Sequence, residues 1–135
     1  MLSEAVISEL IEQASAAREG AYVPYSHFAV GAALLTRSGQ VYTGCNVENA
    51  SYGLTVCAER VAVWKAVSEG ETEYEAIAVV TDNTSSPCGA CRQVMAEFAP
   101  HMPVIMADLD GTRKLMTMDE LLPAAFLPEH LLETS

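Results

Sequence analysis

The chain has 135 residues, of which 50% are hydrophobic and 19% charged, as expected for a single domain covering residues 1–135. Seven Lys and Arg against 18 Asp and Glu give a formal net charge of −11. This charge disfavours nucleic acid as a partner, because a phosphate backbone is normally bound through several cationic contacts. No apolar stretch reaches the roughly 20 residues that span a bilayer, and the acidic N-terminus lacks the basic region of a signal peptide. We therefore expect a cytoplasmic protein that binds neither nucleic acid nor membrane.

Periodic segments follow one another in the order α-ββ-α-β-α-ββ, with a short helical tail. The predicted elements are a helix capped by Ser3 and ended by Gly20, strands at 28–36 and 40–46, a helix at 55–68, a strand at 77–81, a helix from Cys88 to before Pro100, and strands at 104–107 and 112–117. The turn at Asp110-Gly111 is too short for a crossover helix, so the fifth strand should run antiparallel to the fourth. Strands two, three and four are joined through helices and should be parallel. The sequence thus predicts an α/β fold with five strands of mixed direction.

Four cysteines, Cys45, Cys57, Cys88 and Cys91, are few for a disulfide scaffold, and a C-x-x-C pair in a reducing compartment favours metal binding or redox chemistry. Right-handed crossovers place the N-termini of the second and third helices at the same sheet edge. Cys57, Cys88 and Cys91 should therefore converge. Three thiols suit zinc, which takes three protein ligands and a water in catalytic sites. Alternatively, Cys45 could close a structural four-cysteine site, although it lacks the partner spacing of a zinc knuckle.

Glu59 lies two residues after Cys57, too close for comfortable coordination beside it but able to reach a water on the metal. This placement suits a general acid/base. The alternative is structural, since the helix dipole favours a glutamate in a first turn whatever its role. Arg60 follows, and it could donate charge-assisted hydrogen bonds to one or two thiolates and so offset their negative charge. Its alternative is a surface arginine facing water.

The segment C-A-E at 57–59, followed by P-C-G-A-C at 87–91, resembles the three-cysteine form of the zinc nucleoside-deaminase signature. The whole chain is similar to the cytidine deaminase family, and most to its small homotetrameric members. The matching segments are PYSHFAVGAAL at 24–34, GCNVENASYGLTVCAER at 44–60, SPCGACRQV at 86–94 and ELLPAAF at 120–126. The resemblance implies a three-layer α/β/α fold in which a five-stranded mixed sheet lies between helical layers, with a short C-terminal helix.

The resemblance also implies an activity, the hydrolytic deamination of free cytidine and 2'-deoxycytidine to uridine and 2'-deoxyuridine plus ammonia, in pyrimidine salvage. One Zn²⁺ per subunit would be held by Cys57, Cys88 and Cys91. Zinc can lower the pKa of a bound water from about 15.7 to about 7, which supplies hydroxide for attack at C4 of the base. Glu59 would then be the catalytic proton shuttle, taking the proton of the water and delivering protons to N3 and to the leaving amine.

Four of the matched positions correspond to substrate-binding positions of the family, namely Phe28, Asn46, Glu48 and Ala58. The resemblance implies that Asn46 and Glu48 bind ribose and that Phe28 packs against the base. Without the resemblance, an Asn-x-Glu segment is usually a solvated loop, and an aromatic residue beside a strand more often belongs to the core.

Two further positions, Tyr52 and Phe126, match residues that reach a neighbouring subunit's site in the homotetrameric relatives. The resemblance therefore implies a homotetramer whose sites are shared between subunits. For each residue, simple core or surface packing is the alternative. The three histidines are not spaced from the cysteines as metal ligands would be, and we assign no role to His27, His101 or His130.

Two other classes of protein compete with a nucleoside deaminase. A non-catalytic zinc module would not need Glu59 beside an open zinc position, and a thiol-disulfide enzyme built on Cys88 and Cys91 would not need Cys57. Among deaminases, those that edit polynucleotides are disfavoured by the charge of −11 and by the tight turn at Asp110-Gly111, where those relatives have a helix. The choice among cytidine, deoxycytidine and modified aminonucleosides depends on small pocket contacts.

Overall fold

The computed structural model describes residues 2–132, in which five strands form one mixed sheet in the order β2-β1-β3-β4-β5. The helices are α1 (Glu4–Arg18), α2 (Ala58–Ser68), α3 (Gly89–Phe98), α4 (Met118–Leu121) and α5 (Pro128–Leu132). The strands are β1 (Gly31–Thr36), β2 (Val41–Cys45), β3 (Tyr74–Val80), β4 (Pro103–Ala107) and β5 (Arg113–Thr117). A short 3₁₀ turn covers Tyr52–Leu54. The predicted order of elements is confirmed.

The strand directions follow the lengths of the connections. β1 pairs antiparallel with β2 and with β3, β3 pairs parallel with β4, and β4 pairs antiparallel with β5. Strands β2, β3 and β4 therefore run in one direction, as predicted. The turn from β4 to β5 includes Gly111 at a φ of 94°, a left-handed conformation that glycine adopts without steric cost.

Helices cover both faces of the sheet. Ser3 caps α1 by accepting a hydrogen bond from the amide of Val6, and the buried face of α1, with Leu10 and Ala14, packs on one side of the sheet. α2 and α3 lie on the other side, where Ala62 and Met95 belong to one apolar cluster. The predicted three-layer arrangement is confirmed. None of the helices within residues 2–132 is long and apolar enough to cross a membrane.

Three boundaries differ from the prediction for identifiable reasons. α2 begins at Ala58 rather than Thr55, because Cys57 is its N-cap residue and has an extended backbone. β1 begins at Gly31 rather than Phe28, because the Asn46 side chain, in place of a strand backbone, bonds the Val30 amide and the Phe28 carbonyl oxygen. The Val30 carbonyl oxygen still accepts from the backbone amide of Asn46. β3 begins at Tyr74, three residues earlier than expected, since a register shift in its pairing with β1 lets Tyr74 pair with Thr36. The C-terminal region holds two short helices where the sequence predicted one.

Two glycines let the helices approach the sheet closely. A Cβ atom added at Gly44 in β2 would lie 2.4 Å from the carbonyl oxygen of Ala58 and 2.7 Å from the amide nitrogen of Ala62. A Cβ atom at Gly31 would similarly lie 2.0 Å from the carbonyl oxygen of Ala14. Because these neighbours are backbone atoms of α2 and α1, a side chain at either position would displace a helix. Gly44 thus sets the position of the N-terminal turn of α2.

Candidate metal centre and active site

Three cysteine sulfurs meet where α2 and α3 begin. Cys57 is the N-cap residue of α2, Cys88 is the N-cap residue of α3, and Cys91 lies in the first turn of α3. The three Sγ atoms all lie within 4.8 Å of one another, with Cys57 and Cys88 3.8 Å apart and Cys88 and Cys91 3.5 Å apart. The predicted convergence is confirmed. We call these three residues the thiol cluster; Cys45 does not belong to it.

The electrostatics of the thiol cluster favour a bound cation. The hydrogen bond from Cys91, together with those from Arg60 and Cys88, lowers the pKa of Cys57 to about 5. The pKa of Cys91 is raised, chiefly by its hydrogen bond with the Cys57 thiolate and secondly by burial. Three thiolates this close together repel one another, so all three sulfurs can be deprotonated only beside a compensating positive charge. Three soft donors in this arrangement fit zinc, and they are one fewer than the four ligands of closed structural zinc sites.

Arg60 contributes positive charge to the thiol cluster. Its Nη2 atom donates to Sγ of Cys57 over 3.4 Å, and its guanidinium carbon lies 5.9 Å from the ring centroid of Trp64. The contact with Trp64 holds the side chain along α2, on the side where the cysteine lies. Arg60 therefore touches one thiol directly, and the N-termini of α2 and α3 add their partial positive charge.

Glu59 lies in the first turn of α2 and is almost completely buried, with 4% of its surface exposed. Burial, reinforced by the nearby charge of Cys57, raises the pKa of the Glu59 carboxyl to about 7. A carboxyl in this environment can gain or release a proton near neutral pH, as a general acid/base must.

A cavity of about 200 Å³ adjoins the thiol cluster. Its lining includes Cys57, Cys88 and Glu59, and also three of the residues that the sequence associated with substrate, namely Phe28, Asn46 and Ala58. The structure therefore brings the candidate metal ligands, the acid/base candidate and half of the predicted substrate residues together around one space.

The other three predicted substrate residues lie outside the lining of this cavity. Glu48 and Tyr52 line a second cavity of about 330 Å³, together with Tyr25, Ser26 and Thr55. Phe126 lines neither cavity; it is 57% exposed, and its carbonyl oxygen accepts a hydrogen bond from the side chain of Gln93. Within one chain, the predicted substrate residues are thus divided among three locations.

Asn46 and Glu48 hold the loop at residues 24–30 in place. Asn46 donates from Nδ2 to the carbonyl oxygen of Phe28 over 2.8 Å and accepts at Oδ1 from the amide of Val30 over 2.9 Å. The Glu48 carboxylate accepts from the amides of Tyr25 and Ser26 over 3.0 and 3.1 Å and from the Ser26 hydroxyl. The Ser26 hydroxyl, followed by these amides, lowers the pKa of Glu48. Neither residue is a solvated loop side chain.

Ser26 is a site residue that sequence reasoning missed. Its hydroxyl oxygen donates to Glu48 and accepts from the amide of Phe28 over 3.0 Å, so it connects two predicted substrate residues. A serine before a strand carries no pattern that predicts such a contact; only its place inside the PYSHF segment pointed to this region. Arg18 was missed as well, although it donates to the carbonyl oxygen of Ala29 over 2.9 Å and pairs with Asp82.

The fold and the site together define an α/β protein with a three-thiol centre at the N-termini of the helices that follow β2 and β3. Residues 5–107 match the family model described as the cytidine and deoxycytidylate deaminase zinc-binding region. The chain is 57% identical over 125 residues to a cytidine deaminase of Halalkalibacterium halodurans, covering 90% of this chain and 95% of that protein. It is 52% identical over 128 residues to one of Sporosarcina psychrophila, covering 93% and 94%.

Solved structures agree with this assignment. A cytidine deaminase from Burkholderia pseudomallei, known at 1.6 Å, superposes with a TM-score of 0.87 and 49% sequence identity, covering 93% of this chain and all of that one. The chain belongs to the cytidine and deoxycytidylate deaminase family. It is an enzyme of the hydrolytic deaminase class.

Proposed function

We propose that this enzyme hydrolyses free cytidine and 2'-deoxycytidine to uridine and 2'-deoxyuridine, with release of ammonia, in pyrimidine salvage. The observation that carries the proposal is the thiol cluster beside a buried carboxyl, Glu59, in one cavity. The relatives named cytidine deaminase that match over nine-tenths of this chain support the same reaction.

Cys57, Cys88 and Cys91 would hold one zinc ion per subunit. When bound, zinc supplies a Lewis acid that makes a water acidic enough to act as the nucleophile near neutral pH. Arg60 reduces the charge of the ligand set through its hydrogen bond to Cys57. This reduction matters because three thiolates donate more negative charge than the metal carries, which opposes the acidification of water.

Glu59 would move the protons. The reaction adds water across the C4–N3 double bond of the base and then breaks the bond from C4 to the amine. One proton of the water passes to N3, and the other passes from the hydroxyl then on C4 to the departing nitrogen as the C4 carbonyl forms. A single buried carboxylate facing the cavity can accept the first proton and return it to the base, and a second transfer completes the release of ammonia. The nearly complete burial of Glu59 keeps bulk water from competing for these protons.

The lining of the two cavities favours a nucleoside over a nucleotide. Phe28 offers an aromatic ring to the base, Ala58 offers backbone groups, and Asn46 and Glu48 offer polar groups to the sugar hydroxyls. Among the described residues, no Lys or Arg lines either cavity, so no cation is placed to bind a phosphate. The net charge of −11 further disfavours a phosphorylated substrate.

The exposure of two aromatic residues supports a shared site in a homotetramer. Tyr52 is 73% exposed and Phe126 is 57% exposed, and both match positions that reach a neighbouring subunit in the homotetrameric relatives. In its own chain the ring of Tyr52 packs against Tyr25 and that of Phe126 stacks on His130, and the exposed remainder of each ring can cover the cavity of another copy. The three free thiols of the cluster suit a reducing compartment, and we therefore place the enzyme in the cytoplasm.

A combined metal and activity measurement tests the proposal. Purified protein should contain one zinc per chain by elemental analysis, and the ultraviolet absorbance of cytidine should fall as uridine and ammonia form. Deoxycytidine should react, and deoxycytidine 5'-phosphate should react far more slowly. Zinc without deamination would instead indicate a structural zinc module, and disulfide exchange in a zinc-free protein would indicate a thiol redox enzyme. Metal-free protein that still deaminates cytidine would contradict the mechanism.

A further inference from the structure

The three cysteine side chains of the thiol cluster differ in burial and in the hydrogen bonds that fix their positions. Cys91 is fully buried in the core between α3 and the sheet, and Cys57 is half-buried and hydrogen-bonded to Arg60. Cys88 is exposed, and the side-chain hydrogen bonds found for it among the described residues are those to the other two sulfurs. The position of its sulfur therefore depends on the backbone turn that leads into α3.

Arg92 spans that turn. Its Nε atom donates to the carbonyl oxygen of Pro87 over 2.8 Å, and its Nη2 atom donates to the hydroxyl of Ser86 over 2.9 Å. Both acceptors belong to the two residues that immediately precede Cys88. The remaining guanidinium nitrogen, Nη1, donates to the carbonyl oxygen of Leu121 over 2.6 Å. One planar group thus fixes the backbone before Cys88 against a distant segment.

The far end of this contact is firmly anchored. Met118 and Leu121, which begin and end α4, are 1% and 5% exposed and belong to the core cluster on the side of α2 and α3. Thr117 and Glu120 cap α4 reciprocally, so its backbone is well ordered. Arg92 therefore ties this turn, in which Ser86 is exposed and Pro87 is buried, to a helix that is packed into the core. Only a guanidinium offers three donors in a fixed plane; an ammonium at this position cannot reproduce the geometry.

We propose that Arg92 is a positioning residue for the metal centre, which holds Cys88 in the thiol cluster by fixing the Ser86-Pro87 turn against α4. The inference rests on the zinc site of the proposed function. Without Arg92 the turn moves more freely, Cys88 leaves the metal more often, and zinc is released faster. Groups that orient metal ligands from outside the coordination sphere typically change metal affinity by about 10- to 100-fold.

Zinc release to an excess of chelator, followed with a zinc-sensitive dye, tests this inference on the folded holoenzyme. Arg92→Met should release zinc about 10- to 100-fold faster than the parent. Arg92→Lys should also release it faster, because charge alone does not fix the turn. Ser86→Ala, which removes one acceptor and leaves the core intact, should have a smaller effect in the same direction. Cobalt-substituted Arg92→Met should show a weaker thiolate-to-metal charge-transfer band than the cobalt-substituted parent.

Gln93→Met is the matched control. Gln93 is the next residue on α3 and donates to the carbonyl oxygen of Phe126, but it does not contact the Ser86-Pro87 turn. The Gln93→Met variant should release zinc at the parent rate. Release from Arg92→Met and Ser86→Ala within twofold of the parent, in proteins whose thermal unfolding is unchanged, would overturn the inference. Absence of zinc from the parent protein would instead refute the proposed function, so the two failures are distinguishable.

Discussion

The thiol cluster and the loop at residues 24–30 face the same cavity but are held there by different forces. The cluster stands on the first turns of two helices packed on the sheet, with Cys91 and Glu59 buried. The loop has no strand or helix of its own along most of its length, and Tyr25 and Ser26 are exposed. Three polar side chains, Arg18, Asn46 and Glu48, hold it through hydrogen bonds.

Under the proposed function, the thiol cluster and Glu59 carry out the reaction, and the loop at residues 24–30 contacts the substrate. Groups that must hold a metal and move protons need fixed positions, and helix packing against a buried sheet provides them. A loop held by a few polar contacts can adjust to a sugar and a base. Substitutions in the cluster should therefore affect metal content and kcat, whereas substitutions in the loop and in the side chains that support it should affect mainly KM.

The largest effect should follow removal of a proposed metal ligand. Cys57→Ser should lose zinc and fall to less than about a thousandth of the parent turnover, because a metal-activated nucleophile contributes several kcal/mol to the barrier reduction. Elemental analysis and the cytidine assay measure both quantities. Cys45→Ser, outside the cluster, is the matched control and should keep its zinc and its activity. Full zinc content in Cys57→Ser would mean that the metal lies elsewhere.

Loss of the buried carboxyl should come next. Glu59→Gln should lower kcat by about 10²- to 10⁴-fold while zinc content stays at the parent level, since a glutamine cannot exchange protons. Steady-state kinetics on the zinc-loaded protein provide the measurement. Glu97→Gln changes an exposed carboxylate on α3 and should leave kcat unchanged. A kcat for Glu59→Gln within a factor of ten of the parent would assign proton transfer to another group.

The substitution Gly44→Ala tests whether the thiol cluster depends on the close packing of α2 against β2. The added methyl group would collide with the backbone of Ala58 and Ala62, so α2 must shift away from β2. We expect a loss of about 1–3 kcal/mol in the free energy of unfolding, measured by urea denaturation, together with reduced zinc retention. Gly53→Ala, where a Cβ meets nothing within 4 Å, is the control. An unchanged stability for Gly44→Ala would show that the cluster does not depend on this close contact.

The smallest effect should appear in the loop region. Glu48→Gln should raise KM for cytidine about tenfold with little change in kcat, because a hydrogen bond to a charged group contributes about 1.5–3 kcal/mol and glutamine replaces part of it. Kinetics with 2',3'-dideoxycytidine separate two roles of Glu48. If Glu48 binds the sugar, the increase in KM should be smaller for the dideoxy substrate. An equal increase for both nucleosides would limit Glu48 to holding the loop.

The sequence predicted the catalytic candidates better than their surroundings. The spacing of Cys57, Glu59, Cys88 and Cys91 is local, and the connection rules for β-α-β units place both helix starts at one sheet edge. These two facts sufficed for the thiol cluster and for the common direction of β2, β3 and β4, while the short turn at Asp110-Gly111 gave the direction of β5. The start of β1 was predicted three residues too early, because the alternation of apolar residues does not reveal that a side chain, Asn46, replaces a strand partner.

By itself, then, the sequence determined the candidate ligand set, the acid/base candidate and the order and directions of the strands, since each follows from short-range patterns and from the limited ways of connecting strands and helices. The layered fold was implied by the resemblance to the cytidine deaminase family. Only the tertiary structure decided which polar groups support them. Ser26 reaches Glu48, and Arg92 reaches Leu121, across 22 and 29 positions of the chain. Such contacts depend on where the packed core brings distant backbone segments, and no local pattern encodes that distance.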